Sequence, residues 1–183
     1  FEVRASGADI WGSADEFHFV YRELTGNGEI IARVTALEQT SGWSKAGVMI
    51  RNTLDDDSAF AYMSMSPIAG IGEPAHWLQH RNTVGEFMDA DNSTPAVADA
   101  FPSYMRLVRV GNIITGYVSE SNGNWSQVGN PISIPMFETV YVGLAVTSHN
   151  DGVVATATFD DVVVQGLAPS GNEPPVAVAG GTP

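Results

Sequence analysis

The chain contains no cysteine, so neither a disulfide framework nor thiolate chemistry is open to it. Basic residues are scarce, with eight Lys and Arg against 21 Asp and Glu, a net charge of −13 and a pI near 4.4. A field of that sign repels polyanions, which argues against nucleic acid and anionic membrane surfaces as partners. It suits solubility in salty or extracellular surroundings. No apolar run approaches the ~18 residues that would insert into a bilayer. No segment carries a capped stripe of helical period. Gly-x-Ser-x-Gly and His-Glu-x-x-His motifs are also missing, which removes the commonest signatures of serine hydrolases and zinc proteases.

What is present is a period of two. Phe17, Phe19 and Tyr21 alternate with His18, Val20 and Arg22. Segments 29–37, 46–52, 59–66, 76–81, 104–110, 113–119, 140–148 and 155–164 are rich in Val, Ile, Thr, Tyr and Phe, bounded by Gly, Asn, Asp, Ser or Pro. Each predicts a strand. Gly26-Asn27-Gly28 and Gly111-Asn112 predict hairpin turns, because Gly and Asn tolerate positive φ. With 183 residues, 44% hydrophobic and 16% charged, one globular domain with a sizeable core is expected. About nine or ten strands at this spacing predict an all-β fold, a two-sheet antiparallel β-sandwich. Two segments break the rhythm. Residues 86–101 are acidic and Pro-containing and predict a long surface loop. Residues 168–183, rich in Pro, Gly and Ala, predict a linker or the start of another unit after a module at 1–167. The chain opens on Phe1 rather than Met, so it is expected to be a piece of a longer protein whose signal peptide, if any, is gone.

The run Trp43-Ser44-Lys45-Ala46-Gly47-Val48-Met49-Ile50-Arg51 is the most informative stretch. Alternation puts Val48 and Ile50 on one face and Gly47, Met49 and Arg51 on the other. In a chain so poor in cations, Arg51 is either a structural ion-pair partner or part of a binding surface. Together with residues 6–21, Tyr104 to Asn112, Tyr141 to His149 and Ala157 to Val162, this run resembles the concanavalin A-like jelly-roll modules of secreted multimodular bacterial carbohydrate-active proteins. The Asn124-Trp125 region is similar too. Asn172-Glu-Pro-Pro-Val-Ala-Val-Ala-Gly180 resembles the entry to a polycystic-kidney-disease-type domain. Residues 70–103 are longer than the family pattern.

The resemblance implies a jelly roll whose concave sheet or its edge loops bind a polysaccharide. Alternation then nominates Arg51, Trp77, Gln79, Arg81, Tyr104 and Arg106 as one outward-facing ligand-binding cluster. Aromatic rings stack on pyranose faces, amides bond hydroxyls, and arginine forks suit carboxylate or sulfate. Several arginines in one groove would favour an anionic marine glycan, sulfated or uronate. A strand arginine paired with a carboxylate across the sheet is the competing reading for Arg51 and Arg106. Trp11, Trp43 and Trp125 are expected to pack, since large aromatics dominate sandwich cores.

Catalysis is not expected. A retaining glycosidase needs two carboxylates about 5 Å apart, and the Glu-x-Asp-x-x-Glu strand of laminarinase-type jelly rolls is absent, Asp15, Glu16 and Glu23 not reproducing it. A lyase needs a base and a uronate-neutralising group, and similar alginate lyases carry Gln-x-His, whereas Gln79 and His80 are adjacent and face opposite ways. No cofactor is required. Asp89-Ala-Asp91-Asn-Ser93 begins like a Ca²⁺ loop but has Thr94 where Gly is expected and Ala100 where a bidentate Glu is expected, so a solvated acidic loop is the simpler reading. The resemblance implies that a structural Ca²⁺ would sit at Asp160. The expectation is a noncatalytic, monomeric carbohydrate-binding module that holds a catalytic domain of the same secreted bacterial chain on its polysaccharide. The alternative is a spacer or adhesion module without glycan binding, and after it a polysaccharide lyase or glycoside hydrolase.

Overall fold

The computed structural model describes residues 1–67, 74–91 and 101–168. Alternating sequence becomes strand throughout. In chain order the strands are β1 Glu2–Ala5, β2 Ile10–Trp11, β3 Ala14–Asp15, β4 His18–Thr25, β5 Gly28–Leu37, β6 Lys45–Arg51 and β7 Phe60–Ser66. They continue as β8 Ala75–Arg81, β9 Asp89–Asp91, β10 Ser103–Val110, β11 Ile113–Ser119, β12 Ser126–Ser133, β13 Thr139–Thr147 and β14 Ala155–Gly166. No helix occurs among the described residues. Two six-stranded antiparallel sheets face each other. The front sheet runs β4-β13-β6-β7-β8-β9 and the back sheet β1-β14-β5-β10-β11-β12. The fold is the two-sheet β-sandwich that the alternation predicts.

Between the sheets lies one apolar core, to which β6 gives Ala46, Val48 and Ile50, β7 gives Ala61, Met63 and Met65, and β13 gives Val140, Val142, Leu144 and Val146. Val48 and Ile50 therefore face inward as expected. Gly47 is required on the opposite face of β6, because a Cβ there would lie 2.0 Å from the Met63 carbonyl oxygen.

The nine expected strand segments all form, within a few residues of the expected limits. The turn at Gly111-Asn112 joins β10 to β11 as a hairpin. Gly26-Asn27-Gly28 does not make a hairpin: β4 belongs to the front sheet and β5 to the back sheet. The same permissive residues serve a crossover. The Asn27 side-chain oxygen accepts the Gly111 N–H at 2.8 Å, and Gly28 packs against Leu24. The expected loop at 86–101 is interrupted by β9, which pairs with β8. Residues 92–100 of that acidic segment and 169–183 of the tail lie outside the described residues. Pro131 sits in β12, an outermost strand, where no ladder requires its missing N–H.

Candidate functional site

The outer face of the front sheet is only partly open. Strands β2 and β3 pair as a short finger, Ile10 opposite Asp15 and Trp11 opposite Ala14. Ile10 is fully buried in a second apolar cluster with Met49, Phe60, Tyr62, Met88 and Ala145. The finger is held down by charge as well. Asp15 accepts two hydrogen bonds from the Arg81 guanidinium, at 2.7 and 2.9 Å. Arg81 also donates to the carbonyls of Gly12, Ser58, Asp56 and Glu86, at 3.0 to 3.3 Å. Arg51 approaches Asp15 to 3.6 Å and donates to the carbonyls of Thr53 and Asp55. Its guanidinium lies over the Phe17 ring, and that of Arg81 over Phe60. Burial pushes the Asp15 carboxyl upward, while Arg81 and then Arg51 pull it back down.

These contacts place the six expected ligand-binding residues in three groups, not one cluster. Arg51 and Arg81 share the outer face of the front sheet but are each 1% exposed; with donors committed to Asp15 and to backbone carbonyls, they belong to the framework. Tyr104 and Arg106 lie on the back sheet, because β10 pairs with β5 and β11. There Tyr104 donates to Asp161 at 2.5 Å, and Arg106 pairs with Glu29 between the rings of Tyr117 and Trp125. Trp77 and Gln79 alone line an open cleft. Asp160, the expected calcium ligand, pairs with Arg33 at 3.4 Å. Among the described residues no three His, Asp or Glu side chains gather as a metal site.

The cleft has a volume of about 410 Å³ and lies beside the finger, walled by Trp11, Trp43 and Trp77. Trp11 and Trp43 are 46% and 40% exposed, which corrects the expectation that they pack inside. Trp125, against Tyr104 on the back sheet, is the half-buried packing residue expected. The Trp43 and Trp77 rings lie 6.3 Å apart at 44°. The cleft's polar groups form one chain. Lys45, the only lysine, gives its ammonium to Asp9 beneath the Trp11 ring. The other oxygen of Asp9 lies 3.2 Å from His149 Nε2, and His149 Nδ1 lies 3.4 Å from the Ser41 hydroxyl. Burial draws the Lys45 ammonium below the usual lysine range, and Asp9 opposes that shift. On β8, among the described residues, the Gln79 amide nitrogen meets only the Met88 sulfur, at 3.9 Å, and the buried Trp77 indole N–H has no acceptor.

The chain positions these groups through loops tied to strand ends. The Ser44 and Thr40 hydroxyls both donate to the Ser148 carbonyl, at 2.9 and 2.7 Å, fixing the segment bearing Trp43 beside His149. Thr147 and Ser148 donate to the Gly7 carbonyl, fixing the base of the finger. Sequence reasoning missed Asp9, Trp11, Trp43, Lys45 and His149. One signal was available: Trp11-Gly12-Ser13 and Ser41-Gly42-Trp43 set tryptophan among turn formers, and an aromatic on a loop over a rigid sheet is a binding candidate.

No family model and no curated protein sequence matches the chain. Solved structures share its fold. A functionally unknown protein from Saccharomyces cerevisiae aligns with a TM-score of 0.70 at 16% identity, over 91% of this chain and 88% of that one. Xylan β-1,4-xylosidase from Bacillus halodurans aligns at 0.64 and 17% identity, over 86% of this chain and 32% of its own. The GH43 protein BlXynB from Bacillus licheniformis aligns at 0.66 and 13%, over 86% and 31%. The chain thus spans about a third of the length of these two bacterial proteins. At such identities the likeness is one of fold.

Proposed function

We propose that this protein is a noncatalytic carbohydrate-binding module that holds a polysaccharide segment in the tryptophan cleft. The observation that carries the reading is the convergence of three indoles on one cleft with a part-buried Lys45–Asp9 pair at its side. Indole faces match the apolar C–H faces of pyranose rings, and indole also brings a hydrogen-bond donor. Asp9 accepts from sugar hydroxyls, while the Gln79 amide and the Trp77 N–H donate to ring and hydroxyl oxygens. These two donors are the least satisfied polar groups at the cleft, and a buried donor without an acceptor gains most from a ligand that supplies one.

The charge arrangement favours a neutral ligand over the anionic one first expected. The outer-face arginines beside the finger, Arg51 and Arg81, are bound to Asp15, and the cleft's cation, Lys45, is bound to Asp9. In the cleft a sulfated or uronate chain would meet no guanidinium among the described lining residues, and it would approach a protein of net charge −13. Asp9 is the one carboxylate among the described lining residues, whereas hydrolysis by a retaining or inverting route uses two. Binding without chemistry serves by targeting, since a module held on an insoluble chain raises the effective concentration of whatever is joined to it. The recurrence of this sandwich as about a third of a xylan β-1,4-xylosidase supports placing it beside a catalytic domain of a secreted bacterial protein.

Affinity electrophoresis through gels containing xylan, mixed-linkage β-glucan, laminarin, alginate or carrageenan tests the reading. We expect retardation by a neutral glycan, and about tenfold weaker binding or worse for Trp77→Ala. Passage through every gel without retardation, with and without calcium, would sink the proposal.

A further inference from the structure

The finger has two sides, and the second side borders another depression. Its first arm puts Asp9 and Trp11 into the tryptophan cleft; its second arm puts Asp15 and Glu16 into a groove of about 310 Å³. This groove is floored and walled by Phe17, Phe19, Tyr21 and Leu54, with Asp56 at its edge. The rings run in a continuous file. Phe17 and Phe19 lie 5.8 Å apart, Phe19 and Tyr21 5.3 Å apart and stacked, and Tyr21 meets the edge of Tyr141 at 5.3 Å. The inner end of the file belongs to the second apolar cluster. The outer end does not: Tyr21 and Leu54 are each 48% exposed.

From this arrangement, and resting on the reading of the tryptophan cleft, we infer that the groove beside Phe19 and Tyr21 is a second subsite for the same neutral polysaccharide, reached by the chain as it crosses the finger. The two depressions are separated only by a two-stranded ribbon, whose arms lie about 5 Å apart. At its turn the ribbon presents Ser13 and Ala14 to solvent, small side chains that leave a low saddle. Both depressions open on the outer face of one sheet: Phe19 lies in register with Trp77 through Ala145, Gly47 and Ser64. The chemistry also agrees. An exposed phenol ring offers a stacking face, Glu16 and Asp56 offer hydroxyl acceptors, and these carboxylates repel a polyanion as the rest of the molecule does. The one cation lining the groove, Arg51, is held by Asp15 and by backbone carbonyls.

A length series separates this inference from the reading it rests on. Calorimetric titration would use the trisaccharide and octasaccharide of β-1,4-xylan, and the same pair from β-1,4-glucan. The wild-type protein should bind the octasaccharide more tightly than the trisaccharide. Tyr21→Ala and, separately, Leu54→Ala should lose most of that gain, about tenfold for Tyr21→Ala, and should bind the trisaccharide as the wild type does. Trp77→Ala should weaken both ligands. Thermal unfolding verifies that each variant is folded, and both substituted side chains in the groove are surface ones. Equal octasaccharide affinity in Tyr21→Ala, Leu54→Ala and wild type overturns the second subsite and leaves the cleft standing. Trisaccharide binding untouched by Trp77→Ala overturns the cleft reading. Binding of neither oligomer series overturns the pair together.

Discussion

Tyr62 shows how one side chain in the outer cluster couples the sheet to pH. It is fully buried, and its hydroxyl donates to the Ala145 carbonyl at 2.9 Å. Burial, aided by the nearby Asp9 charge, pushes the phenol well above its usual value of 10.0. Above that pH the unfolded chain releases this proton and the folded protein keeps it. The folded state then binds more protons, so stability falls as pH rises through and beyond the unfolded value. Tyr62→Phe should cost about 1 kcal/mol near neutrality, for the lost hydrogen bond, and should flatten the alkaline decline. Urea unfolding at pH 7 and at about pH 10.5 measures both effects; parallel alkaline declines in the two proteins would contradict the account. Single residues were unevenly readable from sequence. The facing of Trp77 and Gln79 follows from strand alternation alone, and it came out as predicted. The ion pairing of Arg51 was one of two readings left open; the burial of Arg81 was not anticipated, because its partner Asp15 lies 66 positions away and nothing local announces it. Trp11 and Trp43 were misplaced because a general preference of large aromatics for cores was weighed above their Gly and Ser neighbours.

The finger is the element on which the site depends, and two residues per strand give it no periodicity to detect. Its stability resides in Ile10 beneath and Asp15 at its far arm. Asp15→Asn leaves Arg81 and Arg51 buried with only a neutral amide in place of their counter-charge, and such a loss costs about 3–5 kcal/mol. Equilibrium denaturation should show that loss; a change under about 1 kcal/mol would mean that the carbonyls around Arg81 already balance the guanidinium. The longer elements were readable. β5, β6, β10 and β11 carry enough alternating Val, Ile and Leu to declare both type and facing. Gly26-Asn27-Gly28 was misread because a permissive turn reports that the chain can reverse, not which sheet it enters next. β12 was missed because Pro131 and the polar Ser126-Gln127 lower its strand signal, although an outermost position tolerates them.

For the molecule as a whole, charge and fold divide the labour. The sandwich was fully anticipated in class, since a chain without helical period, cysteine or long apolar runs has few other ways to bury so many alternating strands. The site was anticipated only in part, because it is built where separate loops meet over the front sheet, and such meetings are set by topology. The net charge of −13 bears on binding too. With the cleft's cation internally paired, few counter-ions should be released on binding. Affinity for a neutral oligosaccharide should therefore change less than about twofold between roughly 0.05 and 0.5 M salt. A steep weakening with salt, measured by the same titration, would indicate that an anionic chain is being bound through ionic contacts.

The anchoring of the finger has a consequence in time. Trp11 is carried on a ribbon whose other arm is clamped to Arg81 and whose base is tied to Thr147 and Ser148. The cleft wall therefore stands ready before any ligand arrives, and on the proposed function capture needs no prior opening. In a rapid-mixing experiment the observed rate should rise in proportion to oligosaccharide concentration without reaching a ceiling, and differences in affinity among glycans should lie in how slowly each one leaves.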